Sequence, residues 1–308
     1  MDRAAPTAVV TTGNDRDPTA EARARELVGA LNAHHGVRAV WASRYHTASR
    51  PLTLVRMLEE HTAAAVLVVD GAGVHLRLRD GAEFRLHGGL GVLRLRNVLG
   101  GGSDNLASVC ALREGDVFVD GTAGQLQDAI VAAAAIGPTG KVIAFEASPL
   151  LWAVTSGRPV CTGDADVDRM LNERIEVRLG EVSASLRELG DGSADVVYFD
   201  PMFQKPRKAS ASFDVLRGLA HSGRLPTEAI AEARRVARRC VVVMDQAGGA
   251  ELEAIAGMRI VHAGQRKRYG VLDCSTRASA RADEARTVLP APSSEDLVDA
   301  RAPSEHAT

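Results

Sequence analysis

The stretch from Asp116 to Glu146, DVFVDGTAGQLQDAIVAAAAIGPTGKVIAFE, constrains this chain more than any other. Val117-Phe118-Val119 has the β-branched and aromatic character of a strand and runs into Asp120. Gly121-Thr122-Ala123-Gly124 makes a small-residue turn, and an Ala-rich helix follows from about Gln125 to Ala135. Gly137-Pro138-Thr139-Gly140 breaks that helix, and Lys141 to Phe145 reads as a second strand that ends on Glu146. A strand, a helix and a strand in so short a span close as a parallel pair with the helix as a right-handed crossover. The unit therefore demands an α/β sheet. It also puts Asp120, the turn and Glu146 at one end of that sheet, where open α/β sheets bind their ligands.

The alternation continues on the C-terminal side. Helices are expected from Pro149 to about Thr155, Val167 to about Arg174, Val182 to Leu189, Thr227 to Arg239 and Ala250 to Ala256. Strands are expected at Ile175 to Arg178, Asp195 to Phe199, Cys240 to Met244, Arg259 to His262 and Tyr269 to Cys274, the last running antiparallel. This pattern predicts a parallel sheet covered on both faces. A shorter series precedes it. Ala8 to Thr12, Val37 to Ala42, Ala64 to Val69, Val74 to Arg79 and Phe84 to Leu86 read as strands, with helices opened by Pro18 and Pro51. Gly100-Gly101-Gly102 separates the two series, and Ser103-Asp104 can cap the helix from Asn105 to Ala111. The expected organisation is a small N-terminal α/β domain at 1–100, a ligand-binding domain at 101–275 and a disordered Ala/Pro/Ser/Glu-rich tail at 276–308.

A net charge of −2 excludes a globally basic nucleic-acid binder but leaves room for a local basic patch. Cys110, Cys161, Cys240 and Cys274 form no C-x-x-C pair, which argues against a zinc site or a disulfide framework and for free thiols in a reducing cytoplasm. His34, His35, His46 and His87 fit no metal-ligand spacing. No metal is expected. No apolar run approaches the roughly 20 residues that span a bilayer, so no membrane partner is expected.

The ligand can be narrowed further. Asp120-Gly121-Thr122-Ala123-Gly124 lacks the third glycine of G-x-G-x-x-G, which weakens the case for a pyrophosphate on the helix N-terminus. S-adenosylmethionine carries no phosphate. It needs small residues against its methionyl part and an acid for its ammonium, which suits Asp120. Glu146 suits the two ribose hydroxyls, and Glu181, just past the third strand, suits the adenine edge. At the end of the fourth strand stands Asp200-Pro201-Met202-Phe203, which resembles the D/N-P-P-Y/F motif of amino-group methyltransferases. An exocyclic amine of a nucleobase is a poor nucleophile because its lone pair is delocalised into the ring. A carboxylate and a backbone carbonyl that accept its hydrogens localise that pair, and an aromatic ring can stack on the base. Lys205, Arg207 and Lys208 follow and could hold phosphates. Arg234, Arg235, Arg238 and Arg239 are expected on one helix, and Arg266-Lys267-Arg268 forms another basic run. Each run is either a binding surface or a solvated face.

Taken together, D-G-T-A-G-x-x-x-D-A (Asp120 to Ala129), F-E-A-S-P (Phe145 to Pro149) and V-V-Y-F-D-P-M-F (Val196 to Phe203) resemble the class I methyltransferases around the small-subunit ribosomal RNA guanine-N2 methyltransferase. The likeness is nearest to bacterial relatives with an added N-terminal α/β domain. Glu232 to Ala237 and Tyr269 to Leu272 also look familial. The resemblance implies a Rossmann-like seven-stranded methyltransferase sheet. It implies S-adenosylmethionine held by Asp120, Gly121, Thr122, Ala123, Gly124, Glu146, Ala147, Ser148 and Glu181, with Asp128 matching an acid of the first motif. It places Asp200, Pro201 and Phe203 at the transfer centre and Met202, Lys205, Arg207 and Lys208 towards the substrate. The chain departs from the RNA enzyme where Gln204-Lys205-Pro206-Arg207 replaces a Pro-His-type continuation, so the acceptor stays open. An RNA nucleobase, ribosomal RNA included, leads. A small molecule or a protein group is one alternative, and non-catalytic nucleotide binding is another. Nothing in the sequence bears on oligomeric state.

Overall fold

The computed structural model describes residues 5–13, 17–34, 36–45, 52–86, 89–156, 163–201, 224–262 and 265–275. Met202, Phe203, Lys205, Arg207 and Lys208 lie outside the described residues, as do Cys161, His35, His46, His87 and the expected tail.

The N-terminal series folds as β1 (Thr7–Thr12), α1 (Pro18–Asn32), β2 (Arg38–Trp41), α2 (Leu54–Glu60), β3 (Ala65–Asp70), β4 (Gly73–Leu78) and β5 (Glu83–Arg85). Asp17 caps α1 by accepting from Thr19 N at 2.8 Å, and Pro18 occupies the first turn, where its missing N–H has no helical partner. The sheet order is β2-β1-β3-β4-β5, with β1 parallel to β2 and β3, and β4 and β5 antiparallel. Val10, Leu67, Val69 and Leu76 bury one face of this sheet, while Val9, Val66 and Val68 bury the other with Met57 and Leu58 of α2.

The next element is α3 (Gly89–Leu99), for which the sequence carries no expectation. Two glycines depress its intrinsic propensity. Packing holds it instead, since Leu95 is 1% exposed in the core shared with Leu126, Ile130 and Val131. After it come α4 (Asn105–Val109), capped by Asp104, β6 (Val117–Asp120), α5 (Gln127–Ala135), β7 (Lys141–Glu146), α6 (Pro149–Ser156), α7 (Ala165–Arg174), β8 (Ile175–Leu179), α8 (Val182–Arg187) and β9 (Ala194–Phe199). Past Arg224 the described chain continues as α9 (Thr227–Val236), β10 (Ala237–Gln246), β11 (Arg259–His262) and β12 (Lys267–Asp273).

These strands form the seven-stranded Rossmann-like sheet, in the order β11-β12-β10-β9-β6-β7-β8. The five strands from β10 to β8 are parallel, and β12 runs antiparallel to both β10 and β11. The central strands are apolar on both faces, as burial on both sides requires. Phe118, Val196, Tyr198 and Val242 face α3, α4, α5 and α7, whereas Val119, Val197, Phe199 and Val243 face α8 and α9. One helix joins the two sheets. Leu151, Ala153 and Val154 of α6 pack into the core of the first sheet although α6 follows directly from β7 of the second.

Two expectations are corrected here. The helix from Thr227 ends at Val236, so Arg238 and Arg239 stand on β10 and share no helix face with Arg234 and Arg235. Pairing with β9 makes the change: Ala237 is extended and sits opposite Ala194. Residues 250–256 hold only a short 3-10 turn, Leu252–Ala254. The basic runs are also largely spent internally. Arg235 binds Asp191, Glu232 and the carbonyls of Leu186 and Leu189. Arg238 forks on Asp195, Arg239 pairs with Asp116, and the buried Arg268 holds Asp245 and Glu253.

Candidate active site

The turn after β6 is built from backbone. Gly121 N donates to Tyr198 O at 2.8 Å and Ala123 N to Phe145 O at 2.9 Å, so the turn is fastened to both neighbouring strands. Gly124 has φ of +50°, and buried Leu126 adopts φ of +60° just before α5. A left-handed leucine costs about 1–2 kcal/mol, and its full burial in the core offsets that cost. A methyl group on Gly121 would overlap the Phe199 ring. Gly121→Ala is therefore expected to lower the free energy of unfolding by about 1–3 kcal/mol, the usual cost of forcing extra volume into a filled core. Chemical denaturation measures it.

Three acids meet this turn. Asp120 is 2% exposed, and its Oδ1 accepts from Thr122 N at 3.0 Å and from the Thr122 hydroxyl at 3.4 Å. Burial pushes its pKa up to about 8, against the opposing hydrogen bond from Thr122 N. Glu146, at the tip of β7, is 6% exposed; Oε2 accepts from Gly124 N at 3.0 Å and Oε1 from Ser148 N at 2.8 Å. Burial raises it to about 7, again against those backbone donors. Asp200 follows β9. Its N–H donates to Thr122 Oγ1 at 2.7 Å, and burial, aided by the charge of Asp128, pushes its carboxyl above the ordinary carboxylate value. Thr122 thus bridges Asp120 and the main chain of Asp200 with one hydroxyl.

Thr122, Glu146 and Asp200 border a cleft of about 770 Å³, solvent at its mouth included. Gly121, Thr122, Gly124, Glu146 and Ala147 form one wall. Gly180, Glu181 and Val182 form the next, and Asp200 with Pro201 lines the cleft at the end of β9. Glu181 also caps α8 through Ala184 N at 3.1 Å. The segment from Arg224 to Pro226 closes the far side. Glu251 holds that segment, accepting from Leu225 N at 3.0 Å and from Arg224 Nε at 3.2 Å. Sequence reading missed this wall, because nothing local marks Glu251 as its anchor.

Not every expected residue reaches the cleft. Asp120 and Ala123 are buried and do not line the cleft, and Ser148 is buried at the start of α6. Asp128 stands apart: its Oδ1 pairs with Arg94 Nη1 at 2.5 Å, and its Oδ2 accepts from the Tyr198 hydroxyl at 3.0 Å. The cleft nonetheless suits a cationic adenosine ligand. It offers a glycine wall with no Cβ and the carboxylate-bearing residues Glu146, Glu181 and Asp200, against the single basic lining residue Arg224 among the described residues. Among the described residues, no group of three His, Cys, Asp or Glu side chains could hold a metal ion, and no helix is long and apolar enough to cross a membrane.

Residues 90–272 match the family described as "Putative SAM-dependent methyltransferase". The protein YpiP of Bacillus subtilis is 36% identical over 182 residues, covering 58% of this chain and 70% of that protein. The ribosomal RNA small subunit methyltransferase J of Actinobacillus pleuropneumoniae is 26% identical over 206 residues, covering 60% of this chain and 78% of that one. A solved structure of a SAM-dependent methyltransferase from Neisseria gonorrhoeae superposes with a TM-score of 0.55 at 21% identity, over 86% of this chain and 95% of that one. That last likeness is one of fold.

Proposed function

The chain belongs to that family of S-adenosylmethionine-dependent methyltransferases, and from this premise we propose that it methylates an exocyclic amino group of a nucleobase in RNA. The observation that carries the proposal is Asp200-Pro201 at the end of β9, on the same cleft as Glu146 and Glu181. S-adenosylmethionine, when bound, supplies the methyl group on a sulfonium. In this reading Glu146 accepts from the ribose hydroxyls and Glu181 from the adenine edge. Gly121 and Gly124 let the methionyl part lie against backbone, and buried Asp120 supplies negative charge behind them. Asp200 accepts a hydrogen from the acceptor amine, localises its lone pair and takes up the proton released on transfer. Burial and the charge of Asp128 hold its carboxyl above the ordinary carboxylate value, which suits a proton acceptor. The motif resemblance assigns base stacking to Phe203 and substrate contacts to Met202, Lys205, Arg207 and Lys208, all outside the described residues. The likeness to a ribosomal RNA methyltransferase supports RNA as the acceptor.

One observation favours a smaller acceptor. Among the described residues of the expected basic runs, Arg235, Arg238, Arg239 and Arg268 are engaged within the fold, and the net charge is −2. Non-catalytic nucleotide binding has no comparable support.

Mass spectrometry of nucleosides from cells lacking the gene separates these readings. The RNA reading requires the loss of one N-methylated nucleoside and its return with the wild-type gene. An unchanged RNA profile, with labelled methyl appearing in a small-molecule or protein fraction incubated with the enzyme, would favour the alternative.

A further inference from the structure

We propose that Arg94 and Asp128 are positioning residues for the transfer step, fixing the end of β9 through Tyr198 and setting the charge that Asp200 faces. The proposal rests on the reading of Asp200 as the acceptor-side group.

The geometry is a buried relay across four elements. Arg94, on α3, forks on Asp104 with Nε at 2.8 Å and Nη2 at 2.9 Å, while its Nη1 reaches Asp128 on α5 at 2.5 Å. Asp104 is itself fixed by capping α4 through Leu106 N at 2.9 Å. Asp128 then accepts from the hydroxyl of Tyr198, which is 1% exposed on β9. Asp200 stands two residues beyond Tyr198, just past the end of β9, and the charge of Asp128 acts on its carboxyl. The Tyr198 carbonyl and the Asp200 N–H are meanwhile both bonded to the β6 turn. The strand end is therefore held twice, by main chain from the cofactor side and by a side-chain relay from the helix side.

The relay also carries charge. Among the described residues, the groups that act on Asp200 are Asp128 from α5 and Asp120 from β6, both acidic, Arg94 from α3 and Lys267 from β12, both basic, and the phenols of Tyr198 and Tyr269. Among the charges, Asp128 acts most strongly on Asp200 and opposes its ionisation. The Arg94 and Asp128 side chains are only 23% and 13% exposed, so solvent screens them little. An exposed ion pair on a helix surface would not exert this effect.

Asp128→Asn tests it, because an amide oxygen can still accept from Tyr198 while the charge is gone. The readout is the titration of the Asp200 carboxyl by carbon NMR in aspartate-labelled protein, its resonance assigned by its loss in Asp200→Asn. In Asp128→Asn the midpoint should fall by about one pH unit, the usual scale for a nearby like charge. The acid limb of methyl transfer from labelled S-adenosylmethionine into total RNA should move with it, and the Kd for S-adenosylmethionine should change less than about threefold. If Asp128→Asn does not fold, Arg94→Gln with Asp128→Asn removes both charges, and the midpoint should still fall, by less. An unmoved midpoint overturns the proposal. So does a Kd raised more than tenfold, which would return Asp128 to the cofactor pocket. The titration needs neither acceptor nor cofactor. A failed titration is thus distinct from failure of the functional reading, which Asp200→Asn at the wild-type transfer rate would expose.

Discussion

Asp200→Asn is expected to lower the rate of methyl transfer by about 10²–10⁴-fold, the range associated with a positioned acid–base group, and to leave the Kd for S-adenosylmethionine within about threefold. The separation follows from which atoms of Asp200 do what. Its main-chain N–H fastens β9 to Thr122, and that bond survives the substitution. The carboxylate makes no such contact with the turn and lines the cleft at its Pro201 end. An asparagine of the same shape keeps the wall but presents an amide. It accepts the amine's hydrogen more weakly and cannot take up its proton. Single-turnover transfer from labelled cofactor, with binding followed separately by calorimetry, measures the two quantities. A large loss of cofactor affinity with an unchanged transfer rate would move Asp200 to the donor side and leave the acceptor without a proton acceptor.

What the sequence made legible was local. The β6 turn, α5 and β7 could be read because apolar period, small-residue turn and breaker all act within a few residues. Once strand ends are placed, so are the acids on them. Glu146 and Asp200 reach the cleft for that reason. Sequence reading failed where a long-range contact decides. Arg94 finds its partners 10 and 34 residues away, and without them α3 has little intrinsic reason to be helical. The run from Glu232 to Arg239 keeps helical composition, yet pairing of Ala237 with Ala194 turns its second half into strand. Asp128 shows the limit of motif matching. Its position in the chain matches, but its side chain turns towards Arg94 and Tyr198 and away from the cleft.

Binding of S-adenosylmethionine should tighten as pH rises, by roughly tenfold per pH unit for each acid that must ionise, up to the pKa of that acid. Burial holds Asp120 at about 8 and Glu146 at about 7, so both are largely protonated in the empty site at pH 6. A cationic ligand favours their charged forms, and ribose hydroxyls donate better to a carboxylate than to a carboxylic acid. Binding therefore releases protons below pH 8. The sign for stability is opposite. Both folded-state values lie above the ordinary carboxylate values of 3.8 and 4.5. The stability they contribute is thus complete below about pH 4 and is lost as pH rises through about 7 to 8. The unliganded protein should lose thermal stability from these two groups over that window, just where the cofactor restores most. Calorimetry in two buffers of different ionisation enthalpy counts the protons released, and Glu146→Gln should remove the component centred near pH 7 while weakening binding. A Kd independent of pH between 6 and 8 would mean that neither acid changes its protonation on binding, and the assignment of Glu146 to the ribose would fail with it.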